Sequence, residues 1–148
     1  ILAPVSGELV HLENTNDPAF SSRAVGDGVA VVPQEGTVCA PVSGTVAALF
    51  PTEHALGIMS DDSSAQVMLH IGIDTVKLEG KGFHALVAQG DHVDAGQPLV
   101  EVDFDAVRAA GFDPTVFVIV CERSENSTLR EHASGPVAVK EPVVWLSE

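Results

Sequence analysis

The sequence is poor in basic residues and in cysteine, and it has no long apolar run. Seven lysines and arginines face twenty-one aspartates and glutamates in 148 residues, giving a formal net charge of −14 and an isoelectric point near 4.5. A surface so short of positive charge is repelled by nucleic acid and by anionic membrane, which excludes both as partners and suits a partner with a basic face. Cys39 and Cys121 are the only cysteines. Both lie among apolar neighbours and read as buried, reduced thiols, not as a disulfide or a metal pair. The longest apolar run, residues 116–121, is far short of the roughly 20 residues that span a bilayer. No charged-then-apolar leader opens the chain. It begins Ile1-Leu2-Ala3-Pro4 without an initiator methionine, which reads as a trimmed product or a piece cut from a longer polypeptide.

What is present points to a β fold. With 45% hydrophobic residues, the chain is no disordered acidic tail, and its length suits one domain over residues 1–148. Helical periodicity is scarce. Short apolar runs at 28–32, 45–49, 67–71, 99–102, 115–120 and 143–146 alternate with Gly, Pro, Asp and Asn, the pattern of an antiparallel β-sandwich or barrel. One short helix is predicted over 105–110, closed by Gly111 and Pro114. Ala3-Pro4-Val5-Ser6-Gly7 recurs as Ala40-Pro41-Val42-Ser43-Gly44, with an apolar residue two beyond each glycine (Leu9, Val46) and a leucine five beyond (Leu12, Leu49). A weaker echo links Gly26-Asp27-Gly28-Val29 to Gly90-Asp91-His92-Val93. A duplicated β unit with two similar halves is the natural reading.

Chemistry concentrates in residues 66–76, QVMLHIGIDTV. Strand alternation puts Val67, Leu69 and Ile71 toward the core and Gln66, Met68 and His70 on the opposite face. Gly72 then lets the backbone turn, and Asp74-Thr75 can cap a helical turn. A second histidine, His54, opens the run 55–59, joined to the His70 strand by the polar turn at 60–64. Antiparallel pairing about that turn sets position 54 opposite position 70 and the two imidazoles side by side. Such a pair could bind zinc if Asp74 supplied a third ligand. Alternatively, one imidazole is a nucleophile that accepts and releases a phosphoryl group while the other donates to its oxygens.

Leu69-His70-Ile71-Gly72-Ile73-Asp74-Thr75-Val76 resembles the signature of the glucose-type enzyme IIA domains of the bacterial sugar phosphotransferase system. The likeness extends to Asp17-Pro18-Ala19-Phe20, Val25-Gly26-Asp27-Gly28, the second Ala-Pro-Val-Ser-Gly, Thr52-Glu53-His54-Ala55 and Lys81-Gly82-Phe83. The resemblance implies an antiparallel β-sandwich of duplicated motifs in a cytoplasmic, monomeric phosphocarrier. His70 would accept the phosphoryl group on Nε2, His54 would support its onward transfer, and Thr52 would orient His54. The Gly72 carbonyl would hold the other ring nitrogen of His70, with Asp74 at the rim. Phe20, Val25, Phe50, Met68 and Val76 match an apolar ring that docks partners, although family members often carry Phe where this chain has Met68. The implied partners are the histidine phosphocarrier HPr, an enzyme IIB domain of a sugar permease, and in some bacteria regulatory targets. No cofactor is required, although His54 and His70 could ligate zinc with a carboxylate from a partner. Lys77 is the nearest cation in sequence, so the partner's arginines are expected to supply positive charge.

Two other classes share parts of this pattern. A zinc metallopeptidase of the lysostaphin kind uses His-x-x-x-Asp, the spacing of His70 and Asp74, but also needs His-x-His, which is missing here. Biotinyl and lipoyl carriers resemble Gly90–Leu99 but need a lysine at a hairpin tip, a setting that Lys77, Lys81 and Lys140 lack. His11, His84, His92 and His132 read as surface residues, and Asp61-Asp62 as a turn.

Overall fold

The computed structural model describes residues 1–147. Its strands are β1 (Gly7–His11), β2 (Asp27–Pro33), β3 (Thr37–Cys39), β4 (Gly44–Leu49), β5 (Ala55–Ser60), β6 (Ala65–Ile71), β7 (Phe83–Ala85), β8 (His92–Val93), β9 (Pro98–Val102), β10 (Val116–Arg123), β11 (Thr128–Glu131), β12 (Gly135–Val137) and β13 (Val144–Ser147). An eight-stranded sheet in the order β12-β1-β2-β10-β6-β5-β4-β8 packs with a three-stranded sheet, β3-β9-β7, and a two-stranded one, β11-β13; every pairing is antiparallel. Inward-facing side chains of all three, among them Leu9, Val31, Ile58, Leu69, Val100, Val118 and Val144, form one buried core. This is the antiparallel sandwich expected from the short apolar runs.

The described residues also include two short α-helices. The four-residue helix α1 (Pro18–Ser21) begins where Asp17 accepts from the Ala19 N–H at 2.9 Å and Pro18 takes the first turn. The second, α2 (Phe104–Ala109), begins one residue before the predicted start because the Asp103 carboxylate accepts from the Ala106 N–H at 3.0 Å. Cys39 is buried and Cys121 half-buried, and both are free.

The duplication is real and reaches further than the sequence echo. Each Ala-Pro-Val-Ser-Gly leads into a strand second from one edge of the eight-stranded sheet, β1 or β4, whose first glycine sits against a neighbour's backbone. A Cβ on Gly7 would overlap the Val32 carbonyl oxygen, and one on Gly44 that of Met59. The backbone bonds match pair for pair. Ala3 donates to Glu141 and accepts from Lys140, while Ala40 donates to Gln97 and accepts from Gly96. Ser6 Oγ accepts from Val139 N–H at 2.8 Å and Ser43 Oγ from Ala95 N–H at 2.7 Å. The repeated unit therefore also contains the turns at 94–97 and 138–141. The echo between Gly26–Val29 and Gly90–Val93 is not structural. Residues 92–93 form the edge strand β8 paired with β4, the place that β12 takes beside β1, whereas β2 lies inside the sheet between β1 and β10.

Candidate functional site

His70 lies on β6 and faces away from the main core, as strand alternation requires: Val67, Leu69 and Ile71 are fully buried, while Gln66, Met68 and His70 are half-buried. The sheet register then decides its neighbours. One row across the outward face reads Val10, Ala30, Phe117, His70, Ala55; the next reads Gly28, Ile119, Met68, Gly57. Ala55 and Gly57 on one side leave room beside the imidazole, and Phe117 flanks it on the other. The segment from Leu12 to Phe20 folds over part of this face. Leu12, Phe20, Ala30, Phe117 and Ile119 make a second, smaller core, with Met68, Ile73 and Cys121 against it. Phe20 stacks on Phe117 with centroids 4.3 Å apart and lies 5.2 Å from the His70 ring. Phe20 is only 6% exposed: it belongs to the apolar surroundings of His70, drawn inward by its stacking on Phe117.

The two imidazoles meet, with centroids 5.1 Å apart and planes at 84°. The register differs from expectation by one residue, since Ala55 is opposite His70 and Ile71 N–H donates to the His54 carbonyl at 2.7 Å. The turn is responsible. Asp62 Oδ1 accepts from Ser60 Oγ and Ser64 N–H, and Ser63 adopts a left-handed φ of 58°, which makes a four-residue loop between Ser60 and Ala65. His54 still reaches the site because it precedes β5 and follows Glu53, at φ 62°, so strand alternation does not bind it.

Second contacts orient both rings. His70 Nδ1–H donates to the Gly72 carbonyl at 2.8 Å, which leaves the Nε2 lone pair free. Thr52 Oγ1 is 2.5 Å from His54 Nδ1; a hydroxyl that donates there puts the ring proton on Nε2. Phe50 meets the edge of His54 at 5.5 Å. Burial, and then the neighbouring His70, lower the His54 pKa to about 4. Burial also lowers that of His70, against the opposing pull of the Gly72 carbonyl and of the carboxylates of Asp17 and Asp74. Both rings are neutral at pH 7, and the charges that act on His70 are negative.

Gly72 is fixed at a φ of +81°, where a Cβ would overlap Thr75 Cγ2 and press on the Asp113 carbonyl. Asp74 stands exposed at the head of the 3₁₀ turn Thr75–Leu78, but its side chain makes no capping bond; its left-handed backbone and its carbonyl, which accepts from Lys77 N–H, shape the turn. Val25, Phe50 and Val76 are exposed by 38%, 46% and 50%, and Met68 is half-buried against the second core. No group of three or more His, Cys, Asp or Glu among the described residues is placed to hold a metal ion, so Asp74 does not join the two histidines as a third ligand. Sequence reasoning misses Phe117 and Ile73. Phe117 lies far from His70 in sequence and beside it in register; its one signal is the apolar run 115–120. Among the described residues no helix is long and apolar enough to cross a membrane.

A family model described as the phosphoenolpyruvate-dependent sugar phosphotransferase system, EIIA 1, matches residues 1–126. The chain is 41% identical over 143 residues to the glucose-specific EIICBA component of the PTS system of Streptococcus pneumoniae, which covers 97% of this chain and 20% of that protein. It is 42% identical over 147 residues to the beta-glucoside-specific EIIBCA component of Bacillus subtilis, with 99% of this chain and 24% of that protein covered. The chain thus spans about a quarter or less of the length of these curated relatives. The solved structure of the glucose permease IIA from Mycoplasma capricolum superposes with a TM-score of 0.89 at 35% identity, covering 97% of this chain and 92% of that one.

Proposed function

The chain belongs to the EIIA 1 family of the phosphoenolpyruvate-dependent sugar phosphotransferase system, and on that footing we propose that it is a cytoplasmic phosphoryl carrier working through His70. The observation that carries the reading is the Nδ1–H bond from His70 to the Gly72 carbonyl at 2.8 Å, which presents Nε2 as an unprotonated nucleophile beside a second imidazole. The lone pair of Nε2 attacks the phosphorus of the phosphohistidine of HPr. The donor's P–N bond breaks as the new P–Nε2 bond forms, and the electron pair returns to the donor ring. In the second step a cysteine thiolate of an enzyme IIB domain attacks the same phosphorus, and His70 recovers its pair as the P–Nε2 bond breaks. The relatives whose names end in BA or CA join such units in one chain, which supports the IIB domain as acceptor.

The surrounding groups suit a transient carrier. His54, held through Nδ1 by Thr52, turns an Nε2–H toward the phosphoryl oxygens and stabilises charge spread in transfer. Asp17 and Asp74 act on His70 with negative charge, which raises the free energy of a phosphoryl dianion there and favours passing it on. Arginines of the partner would offset that charge while docked. Val25, Phe50 and Val76 offer the exposed apolar contact. A zinc ion between the imidazoles would need its further ligands from a partner.

Labelled phosphoryl transfer tests the roles separately. His70→Ala should take no label from phospho-HPr, and full labelling sinks the assignment. His54→Gln should accept label at a near-normal rate but donate to IIB at least tenfold more slowly; normal donation shows that His54 has no such role.

A further inference from the structure

The bond that sets the His70 tautomer ends on a backbone carbonyl, and what fixes that carbonyl is the loop at 113–115. Gly72 N–H donates to the Thr115 carbonyl at 2.8 Å, and Ile73 N–H to the Asp113 carbonyl at 2.9 Å. The loop is in turn closed by the Asp113 side chain. Its Oδ1 accepts from Thr115 N–H at 2.9 Å and from Thr115 Oγ1 at 2.5 Å. Its other oxygen, Oδ2, accepts from Asn16 Nδ2 at 3.1 Å. Asn16 lies just before α1, which carries Phe20 against the His70 ring. One carboxylate therefore ties together the two supports of His70 that come from distant parts of the chain: the turn that receives its Nδ1–H and the segment that packs against the ring. We propose that Asp113 is a positioning residue for phosphoryl acceptance, holding the Gly72 carbonyl where it keeps the ring proton of His70 on Nδ1. The inference rests on the reading of His70 as the acceptor.

Without the carboxylate, Thr115 loses its anchor and the Gly72 turn can rotate its carbonyl away. The ring then loses its reason to carry the proton on Nδ1, and a fraction of molecules holds it on Nε2, where it blocks attack. A displacement of an ångström in such a support is enough to slow a positioned reaction severely.

The test uses the intact chain and two readouts. Nitrogen-15 NMR at neutral pH, with no phosphoryl donor present, should show wild-type His70 protonated at Nδ1 and bare at Nε2. Asp113→Ala should retain its far-UV circular dichroism, gain the opposite tautomer, and accept label from phospho-HPr roughly tenfold more slowly. Asp113→Asn keeps an acceptor oxygen for Thr115 and should restore the tautomer and most of the rate. Thr115→Val, which preserves shape and removes only the hydroxyl bond, should shift the tautomer in the same direction by less, and decides the matter if the alanine variant does not fold. A folded Asp113→Ala with wild-type tautomer and rate overturns the proposal, as does an asparagine variant no better than alanine, or, where alanine does not fold, an unshifted Thr115→Val. A wild-type chain that takes no phosphoryl group sinks the transfer reading instead and leaves the tautomer result standing by itself.

Discussion

A histidine that stays neutral because it is buried weakens the fold in acid. The unfolded chain binds a proton on each histidine near pH 6.5, whereas His54 in the folded protein resists protonation until about pH 4. Between those values the unfolded state holds more protons than the native one, so stability rises with pH, and falls as the pH drops through that window. The contribution is fully present above about 6.5 and changes by at most about 1.4 kcal/mol per pH unit. Denaturant titrations at pH 6.5 and pH 5, a range in which most carboxylates remain ionised, should show a loss of stability in the wild type that His54→Gln reduces. Equal losses in both proteins would show that another group carries the effect. The same neutrality serves the chemistry, because a protonated His70 has no lone pair on Nε2 to offer.

At the scale of elements, the decisive piece is the turn after β6. Gly72 occupies a backbone region that favours glycine, with Thr75 packed where a Cβ would go. Gly72→Ala should cost about 1–3 kcal/mol in denaturant unfolding, and should also disturb the His70 tautomer; an unchanged midpoint would show that the turn yields cheaply. The strand that carries His70 and its inward and outward faces were legible from Val67, Leu69 and Ile71 alternating with Met68 and His70. Other long strands such as β2 and β10 were legible as short apolar runs bounded by turn residues. Strands such as β7, β8 and β12 span two or three residues and are too short to show a period, so only pairing reveals them. The pairing of the two histidines could be read from the turn between them, to within the one residue by which the Asp62 bonds shorten the loop. Phe117 and Asp113 could not, because their claim on His70 lies in sheet register and in bonds between distant segments.

At the scale of the molecule, a formal charge of −14 is a long-range field, and its consequence is kinetic. If docking with HPr is steered by it, the apparent second-order rate of phosphoryl acceptance should fall about tenfold from low salt to several tenths molar, while the rate within a preformed complex stays constant. An acceptance rate indifferent to salt would assign docking to the exposed Val25, Phe50 and Val76 alone. The duplication has a consequence of another kind. Pro33 and Ser60 stand opposite the first glycines of β1 and β4, Gly7 and Gly44. Counting back along β2 and β5 from those two residues, Asp27 and His54 fall at the same place in their respective halves. In one half the position is a clamp: Asp27 pairs with Arg23 at 3.2 Å and Arg123 at 3.4 Å, and Arg23 reaches on to Glu13 and Glu131. In the other it is an imidazole facing a second one. Two copies of one scaffold have divided the labour: the first tethers neighbouring segments by ion pairs at the position where the second sets an imidazole beside His70.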